Sequence, residues 1–272
     1  MPARKIHGDK MATGFISSVQ GYSVKDGPGI RSTVFCVGCN LRCKWCANPE
    51  LMLPGKKTMR FMLGEREERQ EVGYEITPAV LAEKLLRDKI FYEETGGGVT
   101  FSGGEAALQA DFVRETAEIL RANGVSSALD TAGDVPYSTL AEVAAPMEYV
   151  LYDVKTYAAD MHKRCTGIGN GRILDNLRRL AAAGQKLIIR LVIVPDYNDD
   201  LSDVAERLKL IKSLGDAVRR VDVLPYHTLG VGKYKRLGLP YAIPGEGRIP
   251  TAYWQKFLAL AARCGVKVQI AE

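Results

Sequence analysis

Short runs of apolar and β-branched residues recur along the chain and predict the strands of a sheet. The six principal runs span residues 32–37, 98–102, 126–130, 149–155, 187–194 and 221–226. Residues 266–270 form a further run, and residues 14–19 are a candidate opening strand. Because short, almost wholly apolar runs are typical of strands covered on both faces, the pattern favours a parallel sheet.

Helical periodicity separates these runs. Thr77 and Pro78 suit the N-cap and the first turn of a helix, and apolar residues then recur at helical spacing. Three more apolar stripes, the first of them around Phe112, each end at a glycine, and a last helix is predicted over residues 252–263. At least six strand–helix units predict an α/β fold, a partial parallel (β/α)6 barrel of the TIM type.

The chain divides into a short extension and one domain. Residues 1–13 are polar and basic and predict an N-terminal extension, whereas residues 14–272 carry the barrel pattern. Residues 53–75 are rich in charge and lack a clear period, so they predict a surface insertion or a small hairpin within the barrel domain.

Composition and charge narrow the classes of function. The 272 residues are 46% hydrophobic and 25% charged, as in ordinary globular proteins. A formal charge of +5 is too small to indicate a nucleic-acid partner. The chain has no apolar run long enough for a membrane span, and its first dozen residues lack the apolar region of a secretory signal. We therefore expect a cytoplasmic protein with neither a nucleic-acid nor a membrane partner.

Four of the six cysteines lie close together, which in a reducing compartment indicates a metal site. The spacing Cys39-x3-Cys43-x2-Cys46 puts three thiolates on one loop just after the first barrel strand, where they can bind three irons of a four-iron cubane. The fourth iron is then open to a substrate, as chemistry at a cluster requires. Cys165 and Cys264 stand alone and are expected to be structural.

Two other metal sites are alternatives, and both require Cys36. A zinc-stabilised binding module would use Cys36 together with Cys39, Cys43 and Cys46, but only three residues separate the two CxxC pairs, whereas zinc pairs are usually a dozen or more residues apart. A fully ligated electron-transfer cluster is the second alternative. Cys36 lies within an apolar run, so we expect a buried thiol.

These motifs resemble those of a known superfamily. The spacing CxxxCxΦC, with Φ aromatic and here Trp45, resembles the radical S-adenosylmethionine (SAM) signature. Further landmarks resemble one branch, the glycyl radical enzyme activating enzymes of the pyruvate formate-lyase type, over nearly the whole chain from Gly14 onward. In chain order they are DGPGIRSTVFCVGCNLRCKWCANPE, GGGVTFSGGE, LDTAG, YDVK, HKRCTGIGN, IIRLVIVPDYND and LPYHTLG.

The resemblance implies reductive cleavage of SAM by a [4Fe-4S] cluster to a 5′-deoxyadenosyl radical, which abstracts hydrogen from a glycine of a partner enzyme. By position, Cys39, Cys43 and Cys46 look like the ligands of one cluster. The open iron would take the amino and carboxylate groups of SAM, and the adenine would lie beside Trp45, Cys46 and Ala47.

The resemblance also assigns residues to the methionine part of SAM. Gly103, Gly104 and Glu105 resemble the GGE motif that receives the amino group. Asp130 matches a carboxylate near the methionine carboxylate, in some relatives through a bound monovalent cation. Ala106 stands where the family commonly has proline, which leaves the rigidity of this loop open.

The remaining matches line the cofactor farther along the chain. Asp153, Val154 and Lys155 match the family's DxK element, and Arg190 matches an arginine within a strand. His227 matches a histidine that hydrogen-bonds the ribose. Like the cysteine loop and GGE, Asp130, DxK and His227 follow or end a predicted strand, so in a parallel barrel they should share one rim.

The resemblance further implies protein partners. Many relatives carry an eight-cysteine ferredoxin-like insert after the first motif, but residues 53–73 contain no cysteine. We therefore expect one cluster and an external electron donor such as flavodoxin or ferredoxin. The substrate implied is a glycyl radical enzyme, reached through the gap of an incomplete barrel. A radical SAM enzyme for a small molecule is the enzymatic alternative, and the sequence does not name the partner enzyme.

Overall fold

The computed structural model describes residues 12–63, 66–243 and 247–271. The predicted extension 1–13 lies outside these residues except for its last two. The described strands are β1 (Gly14–Ser23), β2 (Arg31–Cys36), β3 (Lys57–Leu63), β4 (Arg66–Val72), β5 (Tyr74–Ile76), β6 (Gly98–Gly103), β7 (Ser126–Thr131), β8 (Tyr149–Asp153), β9 (Leu187–Ile193), β10 (Val218–Pro225) and β11 (Gln269–Ile270). The described helices are α1 (Pro78–Leu86), α2 (Lys89–Thr95), α3 (Ala110–Ala122), α4 (Tyr137–Ala144), α5 (Ala159–Thr166), α6 (Gly171–Ala182), α7 (Leu201–Ser213), α8 (Val231–Leu237) and α9 (Thr251–Arg263).

One sheet forms the centre of the molecule. In the described part of the chain its strand order is β11-β10-β9-β8-β7-β6-β2-β1-β5. Neighbouring strands from β2 through β6 to β11 pair in parallel. This arrangement, with helices between successive strands, confirms the predicted α/β fold with six principal parallel strands. Within the described residues β5 and β11 remain the two edges, so the sheet does not close on itself.

The opening strand runs opposite to the others. β1 pairs antiparallel with β2, and β5 pairs antiparallel with β1. The predicted run 14–19 therefore forms a strand, although a longer one that ends at Ser23. Its antiparallel direction follows from the short connection to β2, since parallel neighbours need a long crossover.

Local signals place α1 and α3 as predicted. Thr77 caps α1, where its hydroxyl oxygen accepts a hydrogen bond from the backbone of Val80 at 3.5 Å. α3 ends just before Gly124, whose φ of +75° is a left-handed conformation suited to glycine. Phe112 and the other apolar residues of α3 are buried against the sheet and α1. No described helix is long and apolar enough to pass through a bilayer.

The charged segment after the cysteine loop folds as a hairpin. β3 and β4 pair antiparallel with each other and form a separate two-stranded sheet. Met59 of β3 is buried, and β3 packs against α8. The hairpin therefore contacts the connection that follows β10, beside the cysteine loop.

Candidate functional site

A cavity of about 280 Å³ lies at the C-terminal ends of the parallel strands. Each strand from β2 to β10 in the parallel part of the sheet contributes a lining residue, from its end or from the loop that follows. The cavity brings together every predicted site residue except Glu105 and Val154. These lining residues are Cys39, Cys43, Trp45, Cys46, Ala47, Gly103, Gly104, Asp130, Asp153, Lys155, Arg190 and His227.

Three cysteines form one part of the wall. Cys39, Cys43 and Cys46 are free thiols that line the cavity, whereas Cys36 is 0% exposed and packs in the hydrophobic core. Burial raises the pKa of Cys39 to about 11 and that of Cys46 to about 12. Among the described residues, no three His, Cys, Asp or Glu side chains are placed to hold a single metal ion. Each of the three thiols can bind a different iron of a four-iron cluster.

The cysteine loop is held by the end of α5. The amide of Arg42 donates to the carbonyl of Thr166 at 2.7 Å, and the amide of Lys44 donates to that of Cys165 at 3.0 Å. Nδ1 of the buried His162 lies 2.8 Å from the carbonyl oxygen of Ile168, in the turn that follows. The landmark HKRCTGIGN therefore supports the loop that carries the three thiols.

Gly103 and Gly104 press against the cysteine loop from the other side. The amide of Gly104 donates to the Cys36 carbonyl at 2.8 Å, and the amide of Glu105 donates to the Gly38 carbonyl at 2.8 Å. A Cβ at Gly103 would collide with the backbone of Cys36, and one at Gly104 with the carbonyl of Gly38. Glycine is needed here because the two loops touch backbone to backbone.

Glu105 and Val154 are buried behind the cavity lining, and their assignment to the SAM site stays a prediction. The Glu105 carboxylate is 1% exposed and accepts hydrogen bonds from the hydroxyl of Thr131 at 2.6 Å and from the amides of Ala132 at 2.9 Å and Ala107 at 3.1 Å. Burial raises the pKa of Glu105, and these donors oppose the shift. Val154 is 1% exposed within the core. Glu105 thus anchors its loop to the end of β7.

A charged cluster forms the floor of the cavity. Nη1 of Arg190 donates to Asp130 at 2.9 Å and lies 3.9 Å from the carboxylate of Asp26. The hydroxyl of Ser102 also donates to Asp130, at 2.6 Å. Burial raises the pKa of Asp130, and the guanidinium opposes this shift. Burial alone would lower the pKa of Arg190, but Asp130 and Asp153 outweigh it and raise that pKa, so the guanidinium stays charged.

A second ion pair lies beside the first. The ammonium of Lys155 donates to Asp153 at 2.6 Å. Burial would lower the pKa of Lys155, but Asp153 raises it above its ordinary value. The exposed His227, two residues beyond β10, and the buried Trp45 also line the cavity. The cavity lining therefore combines charged and aromatic side chains.

These residues fit the expected cluster and SAM. Three half-buried thiols converge on a cavity that also contains two cationic side chains, Arg190 and Lys155. Nε of Arg190 is buried and has no hydrogen-bond partner in the described part of the protein. The backbone of Gly103 and Gly104 lies at the wall without side chains in front of it.

Sequence reasoning missed Asp26, Asn48 and Tyr226, which also line the cavity. Asp26 reaches it because the connection from β1 to β2 folds inward, where its backbone carbonyl accepts a hydrogen bond from Thr100 at 2.6 Å. Asp26 is the first residue of the quoted opening motif and Asn48 lies near its end, and membership of that motif was the available signal. Tyr226 precedes His227 directly.

Comparison with known proteins gives consistent matches. Residues 33–211 match the family model of the Radical SAM superfamily. The pyruvate formate-lyase-activating enzyme of Clostridium pasteurianum is 38% identical over 233 residues, which cover 86% of this chain and 90% of that protein. The (2S)-3-sulfopropanediol dehydratase activating enzyme of Klebsiella oxytoca is 30% identical, over 92% of this chain and 93% of that protein.

A solved structure agrees with these matches. A domain of pyruvate-formate lyase-activating enzyme from Bacteroides vulgatus superposes with a TM-score of 0.54 at 25% identity. The superposition covers 65% of this chain and 100% of that domain.

Proposed function

This chain belongs to the radical SAM superfamily and, within it, to the activating enzymes of glycyl radical enzymes, and from that membership we propose how its cavity works. One observation carries the proposal. Three free cysteines, an uncovered glycine backbone and two ion pairs converge on a single cavity. We propose that this cavity holds one [4Fe-4S] cluster and one SAM, and that the enzyme forms a glycyl radical on a partner protein.

Cys39, Cys43 and Cys46 are the proposed ligands of three irons. With one iron open, a reduced cluster of this kind supplies the electron that splits SAM into methionine and a 5′-deoxyadenosyl radical. Burial keeps the free thiols protonated, so iron must displace three protons when it binds. Cys36 is excluded as a fourth ligand in this proposal because it is sealed within the core.

The part of the cavity lined by Arg190, Lys155 and Asp130 is the proposed site for the amino-acid end of SAM. The cations of Arg190 and Lys155 attract its carboxylate, and the carbonyl groups of Gly103 and Gly104 are acceptors for its ammonium. Asp130 would repel the same carboxylate. A monovalent cation beside Asp130 would screen that repulsion, and we propose that one binds there.

The part of the cavity lined by Trp45 is the proposed site for the adenosyl end of SAM. Trp45 offers an aromatic surface, and the backbone of Cys46 and Ala47 offers polar groups to the edge of the adenine. His227 lies at the mouth, where an imidazole can hydrogen-bond a ribose hydroxyl.

The reaction also needs an electron from another protein. Four cations, Arg42, Lys44, Lys163 and Arg164, are exposed on the cysteine loop and the adjoining end of α5 and form no salt bridge within the described residues. We propose that this basic patch, defined by those four residues, docks an acidic carrier such as flavodoxin or ferredoxin. The free thiols required here persist in the reducing cytoplasm, where we place the enzyme.

Electron paramagnetic resonance (EPR) of a partner protein tests the proposal. The reconstituted chain, SAM, a chemical reductant and pyruvate formate-lyase or (2S)-3-sulfopropanediol dehydratase are mixed without oxygen. We expect a glycyl radical on one of these partners and none with Cys43→Ser. If SAM is cleaved to 5′-deoxyadenosine while both partners and further glycyl radical enzymes stay silent, the substrate is a small molecule and the protein-activation step is refuted.

A further inference from the structure

The segment after the third cysteine is tied to α8 at the cavity wall. The Lys233 ammonium donates to Oδ1 of Asn48 at 2.7 Å and to Oε1 of Glu50 at 2.6 Å. Asn48 lines the cavity directly after Ala47. Glu50 is only 8% exposed, and its other oxygen has no hydrogen-bond partner in the described part of the chain. These three side chains, Asn48, Glu50 and Lys233, form what we call the Lys233 bridge.

The Lys233 bridge fixes the direction of the Asn48 amide. An ammonium can only donate hydrogen bonds, so the amide atom that faces Lys233 must be the oxygen. The amide nitrogen is left with two N–H donors, and it makes no hydrogen bond to any residue that the structure describes. Because Asn48 lines the cavity, this oriented donor is available to an acceptor on a bound ligand.

A second contact seats α8 on the same segment. A Cβ at Gly230, just before α8, would come within 2.9 Å of Cα of Ala47 and 3.0 Å of the carbonyl oxygen of Cys46. The start of α8 therefore rests directly on the cysteine loop, and only glycine permits so close an approach. The buried Glu50 carboxylate holds the ammonium in place on the same side, because a buried carboxylate requires a nearby cation.

We propose that Asn48 is a SAM-binding residue and that Lys233 is the positioning residue that orients it. The Asn48 amide donates to an acceptor of the adenosyl group, a ring nitrogen or a ribose oxygen. This inference rests on the proposed function, because it takes SAM as the occupant of the cavity. The placement agrees with the adjacent segment of Trp45, Cys46 and Ala47, which is the proposed adenine site.

A double-mutant cycle on the cluster-loaded protein tests this assignment, with the dissociation constant of SAM measured by anaerobic equilibrium dialysis. We expect Asn48→Ala and Lys233→Met each to weaken SAM about tenfold, the effect of losing one oriented hydrogen bond. The double variant should also lose about tenfold, because Lys233 acts through Asn48. Lys235→Met, on the exposed side of α8, is the matched control and should bind SAM like the unaltered chain.

A variant that preserves the fold separates positioning from general stability. Asn48→Asp keeps an oxygen for Lys233 but removes both N–H donors, so it should lose SAM affinity while Tm and iron content stay unchanged. Unchanged affinity in Asn48→Asp would overturn the assignment of Asn48. A roughly hundredfold loss in the double variant would show that Lys233 acts independently of Asn48. If the unaltered chain fails to bind SAM, the proposed function itself fails, which is a different result.

Discussion

Arg190 and Asp130 form a shielded ion pair in the lining of the cavity. Arg190 contacts Asp130 at 2.9 Å, and both side chains are mostly shielded from water. Removing one member of such a pair leaves an uncompensated charge, whereas removing both does not. The pair is therefore a sensitive probe of how the cavity is built.

Arg190→Met should lower the free energy of unfolding by about 3 kcal/mol, because Asp130 loses the cation that compensates its burial. The measurement is urea unfolding of the cluster-free protein at pH 7.5. The double variant Asp130→Asn with Arg190→Met should recover most of this loss. Equal destabilisation in the single and double variants would mean that the pair carries no net electrostatic coupling.

At this scale the sequence identified residue types well and side-chain directions less well. Motif matching found lining residues such as Asp130, Asp153 and His227, because these residues end or follow strands. It could not show that Glu105 turns inward to three donors or that Val154 faces the core. It also missed Asn48, whose role depends on Lys233, a residue far away in the sequence.

Among the elements, α5 is the least obvious support of the site. Its final turn contributes no residue to the cavity lining, but its carbonyl oxygens accept hydrogen bonds from two backbone amides of the cysteine loop. His162 lies inside that turn and is 1% exposed. The groups that act on its charge are Lys155, which lowers its pKa, and Asp134, Asp203 and the Ile168 carbonyl, which raise it.

Burial dominates and lowers the pKa of His162, which gives a pH dependence of stability. Below about pH 6.5 the unfolded chain takes up a proton that the folded protein resists, so the free energy of unfolding falls as pH decreases. This loss cannot exceed about 1.4 kcal/mol per pH unit. His162→Asn keeps an N–H donor for the Ile168 carbonyl but does not titrate.

Urea unfolding at pH 7.5 and pH 5.5 measures the effect. The unaltered protein should lose more stability than His162→Asn between these two values. An identical loss in both proteins would show that His162 is protonated equally in the folded and unfolded states.

Element prediction succeeded where periodicity was strong. The runs at 98–102 and 126–130 match β6 and β7 to within a residue at their ends. Periodicity gave no direction for β1, and it left α5 unpredicted because this short helix is mostly polar. In the hairpin β3–β4, apolar residues of β3 pair with charged residues of β4, as Phe61 does with Glu68 and Met62 with Glu67, so the two strands share little apolar periodicity.

At the scale of the whole molecule, the open sheet and the basic patch are the surfaces through which we propose that partner proteins approach. The sheet leaves an edge on either side in the described chain. The basic patch adjoins the cysteines along the loop itself. The alternation of strands and helices in the sequence predicted the parallel sheet and the shared rim of site residues. It does not predict the partner proteins, because their identity depends on surface residues.

Charge reversal tests the basic patch. The double variant Lys44→Glu with Lys163→Glu should slow cluster reduction by reduced flavodoxin at least tenfold at low salt, with a smaller effect at high salt, because complementary charge accelerates encounter. Stopped-flow absorbance follows the reduction. Reduction by dithionite should be unchanged. Lys212→Glu with Lys256→Glu, on exposed positions of α7 and α9, is the matched control. Equal slowing by both pairs would remove the patch as a docking site.

The central claim is that three thiolates hold a [4Fe-4S] cluster whose fourth iron is open to SAM. Iron analysis and EPR of the reduced cluster, recorded with and without SAM, test it in the unaltered chain, in Cys36→Ala and in Cys43→Ala. We predict about four irons per chain and a SAM-dependent change of the EPR signal in the first two proteins, and loss of both in Cys43→Ala. A cluster that disappears in Cys36→Ala, or a signal that SAM leaves unchanged in the unaltered chain, would contradict the account.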